Sequence, residues 1–203
     1  MSRPCQAQEF CPNRAVPAAW RRWLYYSQSL TRRLEDLTQQ PITVQLLQQA
    51  TGRLLSDETG LLVSSQHHFK TQSKCRTSHI LANKNPRAQA HLREVYLTAG
   101  SIPLVVARTV WLKNSGTQHI LAQLGCRPLG ELLFNPDHQS SSKVIFVQRQ
   151  IMQLKPRFPL HALAQSAQTR RTLQPYWARK TLYQFYDEPL IVTEIFLPIV
   201  KQL

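Results

Sequence analysis

The stretch from Tyr183 to Pro198 restricts the fold more than any other part of the chain. Successive side chains of a β-strand point to opposite faces, and here both faces are largely apolar, so we predict a strand that is covered on both sides. Glu194 is then predicted to lie where burying a charge costs free energy unless a cation or hydrogen bonds compensate for it. The sequence therefore predicts a site at Glu194, and the alternative is a solvated Glu at a frayed strand end. One predicted face carries Leu190, Val192, Glu194 and Phe196, and the other carries Ile191, Thr193, Ile195 and Leu197.

The composition fits one soluble domain that binds an anion. The chain has 203 residues, of which 42% are hydrophobic, enough for a substantial core in a single domain. Lys and Arg number 25 against 11 acidic residues, giving a formal charge of +14. A metabolite, a nucleic acid or a membrane surface could each answer this charge. The basic residues occur in scattered pairs rather than in a long run, which favours a local anion pocket or a solvated surface over a nucleic-acid arm.

Other classes of protein find little support in the sequence. No apolar run approaches the roughly 20 residues of a membrane helix, and the N-terminus lacks the apolar segment of a signal peptide, so we expect a soluble, cytoplasmic protein without stable membrane insertion. The histidines show no ligand spacing, and we predict neither a metal site nor a cofactor. The cysteines have no CxxC spacing, and we interpret them as reduced thiols. They are Cys5, Cys11, Cys75 and Cys126.

The first half of the chain predicts two helices and a strand. Residues 1–16 are a polar, proline-interrupted lead-in. A helix begins at Pro17, and Ser27 or Ser29 caps a second one. Alternation from Ile42 to Leu47 predicts a half-buried strand. Residues 48–85 are polar and weakly periodic, which suggests a mobile loop or a partly ordered insertion.

The middle of the chain predicts a β-hairpin that carries two arginines. Residues 91–97 and 102–112 are strand-like and flank a turn with Gly100. Arg93 and Arg108 interrupt these apolar strands, either as outward-facing surface residues or as partners of a buried anion. Ser115 is predicted to cap a short helix. Residues 125–134 predict a turn that leads into a further short helix, whose first backbone amides could donate hydrogen bonds to an anion.

The last part of the chain completes an antiparallel sheet. Residues 143–152 predict a strand, and residues 135–174 otherwise contain loop-like or poorly periodic sequence that suggests another insertion. Residues 177–186 and 189–199 predict a hairpin that turns at Asp187 and Glu188. The expected fold class is α+β, an antiparallel sheet of about six strands with helices packed on it.

Several segments resemble, in order, the motifs of the chorismate lyase family. Together they cover about half of the chain, and the ordered set is more specific than any one of them. The segments are Ser29–Glu35, Leu92–Val95, Ala107–Val110, Leu124–Gly130, Trp177–Lys180 and Pro189–Pro198. A second basic residue that is common in the family after the Trp177–Lys180 segment is Leu182 here.

The resemblance implies a single domain, residues 17–203, with an internal ligand cavity under two helical flaps. By motif position it assigns substrate binding to four residues, of which two are also catalytic. It further implies a monomer that converts chorismate to 4-hydroxybenzoate and pyruvate at the entry to ubiquinone biosynthesis, with no cofactor. The four residues are Leu30, Arg93, Leu129 and Glu194, and Arg93 and Glu194 are the catalytic pair.

The expected chemistry rests on charge placement. Chorismate is a dianion, and loss of its enolpyruvyl ether together with a ring proton makes the ring aromatic. We expect Arg93 to bind the ring carboxylate together with the amides near Leu30 and Leu129, and Glu194 to act near the ring hydroxyl as general acid or hydrogen-bond partner. Burial would favour protonation of Glu194, and a nearby arginine would oppose it. Candidates for the second carboxylate are Arg108, Arg179 and Lys180.

Two other functions remain open from the sequence. The same fold resembles the effector-binding domains of transcription regulators, so a non-catalytic sensor of small aromatic acids is an alternative, although no helix-turn-helix pattern precedes the domain. Nucleic-acid binding through the positive charge is another, but no base-reading motif accompanies it, and we expect no nucleic-acid partner.

Overall fold

The computed structural model describes residues 16–64, 89–112, 118–134, 144–186 and 188–203. Over these ranges the chain forms one six-stranded sheet with helices on both faces, as predicted for the α+β class. The strands are β1 (Ile42–Arg53), β2 (Gln89–Ala99), β3 (Ile102–Leu112), β4 (Val144–Leu154), β5 (Tyr176–Phe185) and β6 (Glu188–Phe196). The α-helices are α1 (Ala18–Leu24), α2 (Leu30–Thr38), α3 (Ser56–Ser64), α4 (Gln118–Ala122), α5 (Leu129–Leu133) and α6 (Pro159–Ser166), and a 3-10 helix spans Pro198–Gln202.

The sheet consists of two three-stranded meanders joined at their centre. Its order is β1-β2-β3-β6-β5-β4, and the neighbouring strands are antiparallel. The first meander ends in β3 and the second in β6, and these two strands pair from Val105 opposite Phe196 to Trp111 opposite Leu190. The predicted strand around Glu194 is therefore an inner strand with both faces covered.

Local sequence signals account for the helices that precede the sheet. The Ser29 hydroxyl accepts from the Arg32 amide and caps α2, which confirms one of the two predicted caps. Trp23 and Leu24 of α1 are fully buried, and Trp20 packs against the same cluster. The apolar stripe of α1 is thus core packing. Gly100, at a φ of +54°, makes the tight β2–β3 turn that the sequence predicted.

The two faces of the sheet have separate cores. On one face, α1, α2, α4, α5 and the 3-10 helix cover residues such as Val95, Ala107 and Val192. On the other, α3 contributes Leu61 and Leu62. Helix α6 adds Leu160 and Ala164 to this second face. The result is three layers, with helices above and below the sheet.

Parts of the segments interpreted as loops or insertions are regular. Strand β1 continues to Arg53 instead of ending near Leu47, and α3 follows it directly. This second half of β1 shows no apolar alternation because it lies at the sheet edge, where no residue of the strand after Val44 is buried. Helix α6 likewise lies inside residues 135–174. The predicted Ser115 cap, the Asp187 position of the last turn, and residues 1–15 and 65–88 lie outside the described residues.

Candidate active site

Strand register brings Arg93 and Glu194 to the same face of the sheet. Arg93 pairs with Thr109 across β2 and β3, and Thr109 pairs with Val192 across β3 and β6. Glu194 lies two residues beyond Val192 and therefore points the same way. Strand spacing and rise place the two Cα atoms roughly 12 Å apart. The two residues singled out from the sequence thus flank a common space, and both line one cavity.

Glu194 forms a two-point ion pair with Arg179, its partner in β5. Arg179 Nη2 donates to Glu194 Oε1 at 3.0 Å, and Arg179 Nε donates to Oε2. The Glu194 side chain keeps 14% of its surface exposed, whereas Arg179 keeps 3%. Burial acts to lower the pKa of Arg179, but the charge and hydrogen bonds of Glu194 outweigh it and raise the pKa. The predicted cation opposite Glu194 is therefore Arg179.

Arg93 lies at the other end of the cavity and is 2% exposed. Its guanidinium donates to the Gly125 carbonyl at 3.2 and 2.8 Å and to the Arg127 carbonyl at 2.8 Å. Burial lowers its pKa, and the nearby Cys126 acts in the opposite direction. Because its acceptors lie in the turn before α5, Arg93 both faces the cavity and positions that helix.

The N-terminal turns of α2 and α5 close the cavity from above. Leu30 and Thr31 line it from α2, and Leu129 and Gly130 from α5. The first amides of an α-helix have no acceptor within the helix, so these turns present N–H donors. A methyl group at Gly130 would lie 3.1 Å from the Ser29 hydroxyl oxygen, so the two helices are in near contact. These are the two helical flaps that the resemblance implied.

About 560 Å³ of space not occupied by atoms lies in the cavity and at its mouth, which is open to solvent. Its floor is apolar or weakly polar, so the charges are confined to the two ends. Tyr183 also lines it, and burial raises the pKa of this phenol. Such a cavity suits a flat, largely apolar molecule with an anionic group at the Arg93 end and a hydrogen-bonding group at the Glu194 end. The floor residues include Val95, Leu97, Ala107, Thr109 and Val192.

Two of the candidates for the second carboxylate point away from the cavity. Arg108 Nη1 donates to Glu94 at 2.7 Å and its Nε to Glu58 at 2.8 Å, on the opposite face of the sheet. Lys180 pairs with Asp57 of α3 on that face and is fully buried. Each lies one residue from a cavity-lining position, and a shift of one residue reverses the face. The prediction that Arg108 or Lys180 meets a ligand in this cavity is therefore wrong, and Arg179 alone of the three lines it.

These buried charges form a continuous polar row behind the site. In register across the sheet, Gln48, Glu94, Arg108, Thr193, Lys180 and Gln150 are successive neighbours. Burial of Lys180 lowers its pKa to about 7. Helix α3 covers the row and supplies Asp57 and Glu58. The row therefore lies on the face of the sheet opposite the cavity.

Sequence reasoning missed Tyr183 and Arg149 as neighbours of Glu194. Tyr183 was visible as part of the apolar C-terminal stretch, yet nothing distinguished it from a core residue. Arg149 follows an irregularity between Phe146 and Gln148 that changes the facing of β4. Alternation alone therefore could not place Arg149 on the cavity side.

Other site types receive no support from the part of the chain that the structure describes. Within those residues no cluster of three or more His, Cys, Asp or Glu side chains could hold a metal ion. Cys126 is an exposed free thiol, and the other three cysteines lie outside the described ranges. No helix in the described ranges has the length and apolar character needed to cross a bilayer.

The fold and cavity define an α+β protein whose central sheet carries a cavity with a guanidinium group at each end. Among solved structures, PhnF from Mycobacterium smegmatis shares the fold with a TM-score of 0.51 and 11% identity, over 86% of this chain and 65% of that chain. The family model described as chorismate lyase matches residues 75–203.

Curated relatives agree with that family model. A probable chorismate pyruvate-lyase of Nitrosomonas eutropha is 31% identical over 71% of this chain and 83% of its own length. Another, of Nitrosomonas europaea, is 29% identical over 89% of this chain and 88% of its own. The chain therefore belongs to the chorismate lyase family, a family of enzymes.

Proposed function

We propose that the protein eliminates pyruvate from chorismate to give 4-hydroxybenzoate, the first step of ubiquinone biosynthesis. The observation that carries the proposal is the cavity with Arg93 at one end and the Glu194–Arg179 pair at the other. A para-substituted ring with a carboxylate and a hydroxyl has its polar groups at opposite ends, as this cavity does.

At one end, Arg93 binds the ring carboxylate. Its planar guanidinium suits a carboxylate, and its burial limits competition from water. The amides near Leu30 and Leu129, at the starts of α2 and α5, add donors for the same group. Both flaps therefore close over the bound carboxylate and fix one orientation of the ring.

At the other end, Glu194 meets the ring hydroxyl. Both of its oxygens accept from Arg179, which fixes the carboxyl group where it can hydrogen-bond to that hydroxyl. The reaction breaks the bond between the ring carbon and the ether oxygen, and the electron pair leaves with the enolpyruvyl group. The ring loses a proton, and the enolpyruvyl group gains one to become pyruvate. A positive end near the departing oxygen stabilises this shift of charge.

The direct test is to mix purified protein with chorismate in the presence of a chelator and to quantify 4-hydroxybenzoate and pyruvate. Equal amounts of both products, formed in proportion to enzyme concentration, support the proposal. Tight binding of 4-hydroxybenzoate without turnover would instead indicate a sensor of aromatic acids. Binding that is steeply salt-dependent and selective for nucleic acid would reject both. Activity in the cytoplasm and a monomeric state are further parts of this proposal.

A further inference from the structure

Arg149 in β4 lies immediately behind the pair formed by Arg179 and Glu194. It is the register partner of Thr181, and its Nε donates to the Thr181 hydroxyl at 3.1 Å. Its Nη1 donates to the Tyr26 carbonyl, in the joint between α1 and α2, at 2.8 Å. Arg149 also interacts with Tyr183, which lines the cavity. The side chain is thus fixed on the cavity face of the sheet, behind the residues that line the Glu194 end.

Two guanidinium groups share one oxygen at this end. Arg179 Nη1 donates to the same Tyr26 carbonyl at 2.5 Å, so the two nitrogens are no further apart than the sum of the two hydrogen-bond distances. Burial, and then repulsion from Arg179, lowers the pKa of Arg149. Holding two positive charges close together away from water costs free energy unless an anion neutralises them.

The Glu194 carboxylate neutralises only one of these two positive charges. Both oxygens of Glu194 accept from Arg179, and Glu194 is the acidic side chain in the described ranges whose charge reaches Arg149. At the opposite end, Arg93 contacts main-chain carbonyls and, among the described residues, no carboxylate. Each end of the cavity therefore carries one positive charge more than it has negative charges.

We propose that Arg149 is a specificity-determining residue, whose charge attracts the enolpyruvyl carboxylate of the substrate to the Glu194 end of the cavity. The inference rests on the proposed lyase function. A dianion with separated carboxylates matches the two excess charges, whereas 4-hydroxybenzoate, with one carboxylate, matches only that of Arg93. Arg149 thus favours binding of the substrate over binding of the product.

The test compares Arg149→Gln and Arg149→Lys with wild type and with Arg157→Gln, which removes the same charge from an exposed position. For each protein, kcat/KM for chorismate and the equilibrium Kd for 4-hydroxybenzoate are measured. We expect Arg149→Gln to lower kcat/KM by about ten-fold or more while the product Kd changes less than about two-fold, as when one of two charge contacts is lost. Arg149→Lys should recover part of kcat/KM, because it keeps the charge without the planar fork. Arg157→Gln should match wild type.

Each outcome bears on the inference. If Arg149→Gln weakens substrate and product equally, Arg149 only anchors the Tyr26 joint, and the inference is overturned. If Arg149→Lys has as low a kcat/KM as Arg149→Gln, the charge of Arg149 is not the cause of the loss, and the inference is overturned. The Lys variant serves as this test even when Arg149→Gln folds poorly. If wild type does not convert chorismate, the proposed function itself fails. If wild type is active and Arg149→Gln keeps its full kcat/KM, only this inference fails.

Discussion

Glu194 and Arg179 are register partners on adjacent strands, and both carboxylate oxygens of Glu194 accept hydrogen bonds from Arg179, with 3.0 Å between Nη2 and Oε1. Arg179 in turn donates to the Trp23 and Tyr26 carbonyls. The joint that leads into α2 is therefore fixed by the same guanidinium that orients Glu194. The carboxylate and one flap of the cavity are held by a single side chain.

Replacing Glu194 with Gln should lower kcat for chorismate by about 10²- to 10⁴-fold, the range expected when a placed proton-transfer or hydrogen-bonding group is lost. Binding of 4-hydroxybenzoate should persist, because Arg93 is untouched. Asp36→Asn, at an exposed position of α2, is the matched control and should keep full activity. Steady-state kinetics and product titration measure both effects. A Glu194→Gln enzyme with the wild-type kcat would remove Glu194 from the mechanism.

Replacing Arg93 with Lys should weaken 4-hydroxybenzoate binding by about ten-fold or more, since a charge-assisted hydrogen bond is worth roughly 1.5–3 kcal/mol. Lysine keeps the charge but cannot hold the ligand and the Gly125 and Arg127 carbonyls together. Calorimetric titration gives the affinity, and a thermal melt separates this effect from loss of fold. Unchanged affinity in the Lys variant would show that the anchor lies elsewhere.

Gly130→Ala should push the flaps apart. The added methyl group would lie 3.1 Å from the Ser29 oxygen, tighter than most contacts of a Cβ atom, so one of the two helices has to shift by a few tenths of an ångström. We expect 4-hydroxybenzoate to dissociate faster and to bind about five-fold more weakly, equivalent to ~1 kcal/mol. Stopped-flow displacement of product measures the rate.

The matched control for that variant is Gly60→Ala in α3, where nothing lies within 4 Å of the added methyl group. It should raise stability by up to about 1 kcal/mol through helix propensity and leave product release unchanged. Equal release rates in both variants would indicate that contact between the flaps does not limit release.

Arg108→Met should destabilise the fold by about 3–5 kcal/mol, because it leaves buried carboxylates without a cation. Glu58 has no exposed side-chain surface, and Glu94 keeps 9%. Urea unfolding measures the loss, with the exposed Arg157→Met as control. A loss below 1 kcal/mol would mean that the two acids find other partners or take up protons.

The stability of the protein should rise with pH between about 7 and 10 through Lys180. Burial lowers its folded pKa to about 7, whereas an unfolded lysine titrates near 10.4. In that window the unfolded chain binds a proton that the folded chain does not, so raising the pH favours folding. Urea unfolding at pH 7, 8 and 9 should show this slope in wild type and a smaller one in Lys180→Met. Parallel slopes would contradict the assignment.

The sequence predicted the inner strands well, because hydrophobic runs and alternation report burial directly. Glu194 and Arg93 were found because a charge in an apolar strand is conspicuous. Arg108 and Lys180 carry the same signal, yet they face α3, since alternation does not say which face of a strand covers a cavity. Helix α3 was missed because Glu58 has the character of an exposed residue in the sequence, and its burial is explained only by the hydrogen bond from Arg108.

The edges of the sheet were harder to predict than its centre. Residues Gln48–Arg53 of β1 are exposed or half-exposed, so they lack the pattern that marks a strand. Arg149 was missed since an irregularity in β4 resets which side chains face inward. Both errors arise where packing constrains sequence least.

The pairing of β3 with β6 also bears on how a ligand acts on the whole molecule. Arg93 belongs to the N-terminal meander, and both Glu194 and Arg179 belong to the C-terminal one. An anion held between them ties the two halves of the chain across their common seam. Bound ligand should therefore slow amide hydrogen exchange along β3 and β6 more than along the outer strands β1 and β4, because it stabilises the contact between the two halves of the sheet.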